Sequence, residues 1–225
     1  VWHGGPVDGY GAAAEKGLIE AYDSPTAKEI PDKYKDPKHY WTGVYVGVLG
    51  FCSNQKVLQE KGLEVPQSWD DLLKPELKGQ VSTAHPSTSG TAFTTLWTQV
   101  VLRGSEDAGL DYMKKMHANV LQYTKSGTAP GQIAGRGEVA VGLVFSHDCV
   151  KYRDEGMKDL VVSFPKEGTG YEIGGVALVK NSKTNDKMAK LDEINLIDYD
   201  FAAAAAAKPE LTKRFDEEVA AKPRQ

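Results

Sequence analysis

The chain has 225 residues, 40% of them hydrophobic and 26% charged, with a net charge of −4. That is an ordinary soluble globular composition, long enough for one or two domains. The net negative charge gives no electrostatic footing for nucleic acid or an anionic membrane, and the longest apolar runs, 44–52 and 139–145, fall far short of the ~20 residues of a membrane helix.

Taken in chain order, Val1-Trp2-His3-Gly4-Gly5 reads as the end of a strand. The expectation is that residues precede Val1, so the lack of a leader says nothing about compartment. Residues 10–19 place Ala and Leu at helical spacing, and residues 22–38, with three prolines, read as a loop. Residues 40–51 supply β-formers, and 55–62 form a short helix stopped by Gly62. Ser68 is placed to cap a helix with Asp70 and Asp71 in its first turn. After a short strand at 80–82 comes His85-Pro86-Ser87-Thr88-Ser89-Gly90-Thr91, a Gly/Ser/Thr loop. Phe93, Leu96, Trp97, Val100 and Val101 then recur at i, i+3, i+4, i+7 and i+8, which predicts an amphipathic helix, and 107–118 predicts another.

The next stretch repeats the design. A strand-like piece at Tyr123 runs into Ser126-Gly127-Thr128, and Pro130 sits early in a following helix that Gly135 to Gly137 ends. The apolar run 139–145 then stops on Ser146-His147-Asp148-Cys149. Residues 161–165 and 171–179 are strand-like, the latter interrupted by Gly174-Gly175, and 198–219 reads as helix. The six alanines from Ala202 to Ala207 stand apart from an otherwise varied chain and yield no chemical argument. Strands and helices alternating in this way predict an α/β architecture. Cys52 and Cys149 each go with one of the long apolar runs and are placed to meet across a sheet. One bridge in an exported protein and two buried free thiols both remain open.

The candidate chemistry collects at strand ends, where ligands sit in open α/β sheets. Ser89-Gly90-Thr91 and Ser126-Gly127-Thr128 each lie between a strand and a helix. Free N–H groups at a helix start, hydroxyl donors and a glycine that admits close approach favour an anion. Plain helix capping explains either loop taken alone. Neither is a Walker-type phosphate loop, and the glycines of 131–137 do not form a dinucleotide site. Ser146, His147 and Asp148 are consecutive and cannot make the mutual geometry of a catalytic triad. His147 and Asp148 suit sugar hydroxyls or a metal, provided the strand has ended before them. Glu172, inside a Gly-rich strand, needs a partner if buried. His3, Trp41 and Tyr45 are candidates for lining a cleft, while His39, His85 and His117 read as surface or packing residues.

Several segments resemble the bacterial periplasmic solute-binding proteins of ABC importers, in the branch of ferric-iron, thiamine, phosphonate and hexose-phosphate binders. They are Val1-Trp2-His3-Gly4-Gly5, Pro66-Gln67-Ser68-Trp69-Asp70-Asp71-Leu72, Ser87-Thr88-Ser89-Gly90-Thr91-Ala92, Lys125-Ser126-Gly127-Thr128-Ala129-Pro130, Arg136-Gly137-Glu138-Val139, Gly170-Tyr171-Glu172-Ile173-Gly174-Gly175 and Leu196-Ile197-Asp198-Tyr199. The resemblance implies a type II fold: two α/β lobes, each a mostly parallel sheet flanked by helices, joined by hinge strands, with the ligand held between them. It divides the chain into a first lobe (1–50 and 164–190, its N-terminal part missing), a second lobe (51–163) and a C-terminal helical segment (191–225).

Iron binders of this kind carry paired tyrosines where this chain has His147-Asp148, and an acid where it has Gly4-Gly5. The resemblance is therefore nearest to the hexose-phosphate binders. It implies that Ser89, Gly90, Thr91, Thr128 and Ala129 hold a phosphate, that His147, Asp148 and Glu172 take sugar hydroxyls, and that His3 and Gly4 line the site. It further implies no catalysis, no cofactor and no resident metal. The partners would be an anionic small molecule and a membrane permease, with no nucleic acid. The protein would act as a monomer, periplasmic or extracytoplasmic and lipid-anchored. Ferric iron or a phosphonate is the other ligand class. A hydrolase acting through Ser146 or His147 lacks the nucleophile-elbow motif.

Overall fold

The structure, a computed structural model, describes residues 1–180 and 199–220. Of the tail segment noted above, Leu196, Ile197 and Asp198 lie outside the described residues. In chain order the elements are β1 (Trp2–Pro6), α1 (Val7–Glu15), β2 (Ile19–Glu20), β3 (Thr42–Asn54), α2 (Gln55–Glu60), β4 (Val81–Ala84), α3 (Gly90–Arg103), α4 (Glu106–His117), β5 (Val120–Thr124), α5 (Ala129–Gly135), β6 (Val141–Phe145), α6 (Ser146–Asp154), β7 (Leu160–Ser163), β8 (Tyr171–Val179) and α7 (Phe201–Glu218). They fall into two compact units. One holds Val1–Gly47, the strand from Glu172 and Asp200–Ala206; the other holds Val48–Tyr171, Tyr199 and the residues from Ala207. Among the described residues no helix is long and apolar enough to cross a membrane.

In the first unit β8 pairs antiparallel with β1 (Trp2 opposite Ala177) and with β2 (Ile19 opposite Val179). Strand β8 runs unbroken through Gly174-Gly175. The small residues are needed because Tyr45 covers Gly174, and Val7 and Tyr10 cover Gly175. Tyr10 is wholly buried and stacks on Trp2 with ring centroids 4.1 Å apart. Its hydroxyl lies 2.7 Å from both the Gly4 and the Gly175 carbonyl oxygens, so one hydrogen serves two acceptors. Burial, reinforced by Tyr45, pushes the Tyr10 phenol up to about 12.

The second unit carries a mixed sheet. Strand β4 is parallel to both β5 and β6, and β3 is antiparallel to both β6 and β7. The register sets Cys52, Gly142 and Ser82 side by side on one face. Helix α6 covers that face, and Cys149 in it is bonded to Cys52. This settles the alternative the sequence left open. Ile133, Ala134, Val139, Val144, Tyr152 and Leu160 pack around the bridge as one cluster. A second centre forms where Trp69 meets Phe51 edge-on at 5.0 Å and donates its indole N–H to Gly168 O at 3.0 Å. Ser68 does cap the short 3₁₀ turn Trp69–Leu73, accepting from Asp70 N.

Helix α3 forms where the apolar spacing predicts it. Ser89 Oγ accepts from Ala92 N at its start, and Gly104, at φ 84°, turns the chain out at its end. Helix α4 has Glu106 and Asp107 in its first turn and Lys114 and Lys115 in its last, charges that oppose the helix dipole. The two helices meet closely at Gly109. A Cβ there would lie 2.8 Å from Val100 N and 2.9 Å from Val100 Cα, backbone atoms that cannot rotate away. Gly109→Ala is expected to destabilise the protein by about 1–3 kcal/mol through overpacking. A urea midpoint equal to that of the wild type would contradict this.

Candidate functional site

The first Ser-Gly-Thr loop is anchored at both ends. Thr88 N and Ser89 N donate to His85 O at 3.0 and 3.1 Å, closing a turn just after β4. Thr88 Oγ1 reaches Lys125 O at 3.1 Å, in the second loop. Gly90 and Thr91 form the first turn of α3, whose first turn holds no acidic residue. That 14-residue helix points the positive end of its dipole at the loop.

The second loop is braced from three sides. Thr124 Oγ1 donates to Ser126 O at 2.8 Å, Ser126 Oγ and Thr128 Oγ1 lie 2.9 Å apart, and Thr128 N donates to Ser126 Oγ at 3.3 Å. Gly127 sits directly against the first loop. A Cβ built on it would lie 2.7 Å from Ser89 Oγ and closer still to Thr91 Oγ1. The two loops therefore converge, which their separation in sequence could not reveal. Ser89 uses its hydroxyl as a helix cap, whereas Thr128 makes no side-chain cap to α5. Plain capping thus accounts for the first loop and not for the second. Ala129 opens α5, with Pro130 behind it. Tyr152, buried on α6, donates its hydroxyl to Thr128 O at 3.2 Å, and its ring packs on Gly131.

His147 and Asp148 do not end a strand. Strand β6 stops at Phe145 and α6 begins at Ser146, so both lie in the first turn of a helix. His147 is half exposed and stacks on Phe145 at 5.8 Å. Asp148 is only 14% exposed, and its Oδ1 is 3.9 Å from His147 Nε2. Burial pushes the Asp148 carboxyl above its ordinary range, while the charges of His147 and Lys151 pull it down. A carboxyl with a higher pKa in the folded than in the unfolded state holds its proton more tightly when folded. It costs nothing at a pH below its unfolded pKa and costs most above its folded pKa. Asp148→Asn is therefore expected to melt above the wild type at pH 7, the gap closing as pH falls through the carboxylate range. A gap that is constant with pH would show that the carboxyl charge is not its source.

The other candidate residues belong to the first unit. Glu172 is buried in β8, two residues before Gly174, which pairs with Pro6. His3 lies on β1 opposite Val176 and is exposed. Gly4 follows at φ 84° and gives its carbonyl to Tyr10. Of the sequence candidates, the structure thus joins Ser89, Gly90 and Thr91 to Thr128 and Ala129, and ties His147 and Asp148 to that group through α6 and Tyr152. Trp41 and Tyr45 belong to the first unit as well.

Residues 8–208 match the family of bacterial extracellular solute-binding proteins. An uncharacterized protein of Haemophilus influenzae is 45% identical over 197 residues, covering 85% of this chain and 56% of that protein. The chain belongs to the bacterial extracellular solute-binding protein family. It spans about half the length of that curated relative. The periplasmic binding protein AfuA of Actinobacillus pleuropneumoniae, solved with exogenous fructose 6-phosphate bound, superposes with a TM-score of 0.82 at 34% identity, covering 97% of this chain and 82% of that one. A Salmonella typhimurium protein provisionally named as a 2-aminoethylphosphonate-binding periplasmic protein is 28% identical over 130 residues, 58% of this chain and 36% of that protein.

Membership places this solute-binding protein among proteins that hold small molecules without transforming them. One site-building residue, Tyr152, and one contact, that of Gly127, escaped the sequence reading. Tyr152 stands three residues after Cys149, the spacing of one helix face, but that face holds too few apolar residues to show a period. Gly127 lay in plain view, and no signal along the chain marks its contact with Ser89 and Thr91.

Proposed function

We propose that this solute-binding protein captures a phosphorylated small molecule, a hexose 6-phosphate above others, and passes it to the membrane permease of an ABC importer. The carrying observation is the convergence of Ser89-Gly90-Thr91 with Ser126-Gly127-Thr128. Hydroxyl and N–H donors from two loops meet at the positive end of α3, the donor set a phosphate takes. His147 and Asp148 select the sugar by accepting from and donating to its hydroxyls; Glu172, His3 and Gly4 are the first unit's own candidates for ligand contact. The sugar phosphate seen in the AfuA structure supports this reading. The matching family is an extracellular one, which supports a periplasmic or lipid-anchored extracytoplasmic location.

A phosphonate is the second reading, favoured by the Salmonella relative. Calorimetry with glucose 6-phosphate, fructose 6-phosphate, glucose, inorganic phosphate and 2-aminoethylphosphonate separates the two. The expected order puts a hexose phosphate first by at least tenfold, about 1.4 kcal/mol. Equal or absent heats throughout would overturn the assignment, and a preference for the phosphonate would replace it. Ferric iron, the remaining ligand class, would announce itself by the visible absorption of its complex.

A further inference from the structure

Beneath both loops lies a cluster whose role the proposed function does not use. His85 opens the turn after β4, and its side chain is 0% exposed. The imidazole is held at both nitrogens. Nε2 lies 3.0 Å from Ala220 O, an atom that only accepts, so Nε2 carries the hydrogen. Nδ1 then accepts from Ser87 N at 3.3 Å and Ser87 Oγ at 2.8 Å. Asp216 Oδ1, buried, is 3.4 Å from Nε2. Phe215 and Tyr123 meet the ring edge-on at 5.2 and 5.7 Å, and they meet each other at 5.8 Å.

The order of these contacts along the chain matters. The backbone of His85 receives Thr88 N, Thr88 Oγ1 and Ser89 N, and its own N–H goes to Thr124 O at 2.9 Å. Tyr123 stands immediately before Thr124, which holds Ser126 O. The root of each loop is therefore pinned to one aromatic cluster, and the third member of that cluster, Phe215, belongs to α7. The ring thus bridges a local contact to Ser87 and a distant one to Ala220 O, just past the end of α7.

We infer that His85 is the positioning residue of the paired Ser-Gly-Thr loops, and that through it the last turns of α7 set the geometry in which those loops hold an anion. The inference rests on the anion reading given above. Coupling of this kind is reciprocal: if α7 orders the loops, an anion in the loops must order the end of α7.

Two variants divide the ring. His85→Asn keeps an acceptor within reach of Ser87 and loses α7; His85→Gln keeps the reach to Ala220 O and loses Ser87. Both are titrated as full chains with glucose 6-phosphate and with inorganic phosphate, below their melting ranges. Each is expected to raise Kd at least fivefold for both anions alike. Amide exchange of the wild type supplies a readout that does not depend on how the variants fold. Saturating glucose 6-phosphate is expected to slow exchange over residues 215–220 as well as in the two loops. Either variant binding within twofold of the wild type, or ligand protection confined to the loops, overturns the inference. A wild type that binds neither anion overturns the anion reading first, a result distinct from a wild type and variants that all bind equally.

Discussion

Replacing Cys52 and Cys149 together with alanine is expected to cost about 4–5 kcal/mol of stability. The bridge joins residues 97 apart in sequence, and closing a loop of about that length removes most of the freedom its ends have in the unfolded chain. It is also central to the packing, since Ile133, Ala134, Val144 and Tyr152 lie around it. The loss is comparable to the whole stability of many domains, about 5–15 kcal/mol. Urea unfolding of the wild type with and without a reductant, beside the double variant, measures it. A change below about 1 kcal/mol would mean that the unfolded chain is restrained by something other than the bridge. Cys149 is also the neighbour of Asp148, so the same variant frees the start of α6.

Gly127→Val is expected to raise the Kd for the phosphorylated ligand by about 100-fold, near 2.7 kcal/mol. The added carbons would occupy the space of the Ser89 and Thr91 hydroxyls. They must either drive the loops apart or turn those hydroxyls away from the ligand. The glycine lies in a partly exposed loop rather than in a core, so the melting temperature is expected to change much less than the affinity. Gly127→Ala should fall between the two, because a single methyl leaves the serine room to rotate. Wild-type affinity in the valine variant would show that the two loops do not act on one ligand.

How much of this was legible depends on the range of the interaction. Helix α3 was read from Phe93, Leu96, Trp97 and Val100 because its apolar residues repeat at 3.6-residue spacing over about two turns. The loop residues Ser89 and Thr128 were read because strand, small polar cluster and helix succeed one another locally. Helix α6 was not read. Its buried side chains are Cys149 and Tyr152, too few to show a period, and its polar opening resembles a strand terminus. The pairing of Cys52 with Cys149 depends on the register of β3 against β6 and on the seating of α6, neither of which spacing encodes. His85 is the extreme case: its partner Ala220 is 135 residues away, and nothing beside it in the chain distinguishes it from a surface histidine. The contacts that build the candidate site are those that tertiary structure alone creates.

The pairing of Trp2 with Ala177 sets a timetable for the newborn chain. Strand β1 is made well before its partner β8, which is not complete until Val179. At about 5–20 residues per second, the opening strand waits on the order of 10–30 s for its neighbour. Meanwhile Val48–Tyr171, which holds most of the second unit and both halves of its disulfide, has already emerged. The first unit thus cannot pair β1 until β8 is made, and the second waits in turn for its own residues from Ala207. Holdase chaperones acting during synthesis or export would find β1 without its partner strand throughout that interval.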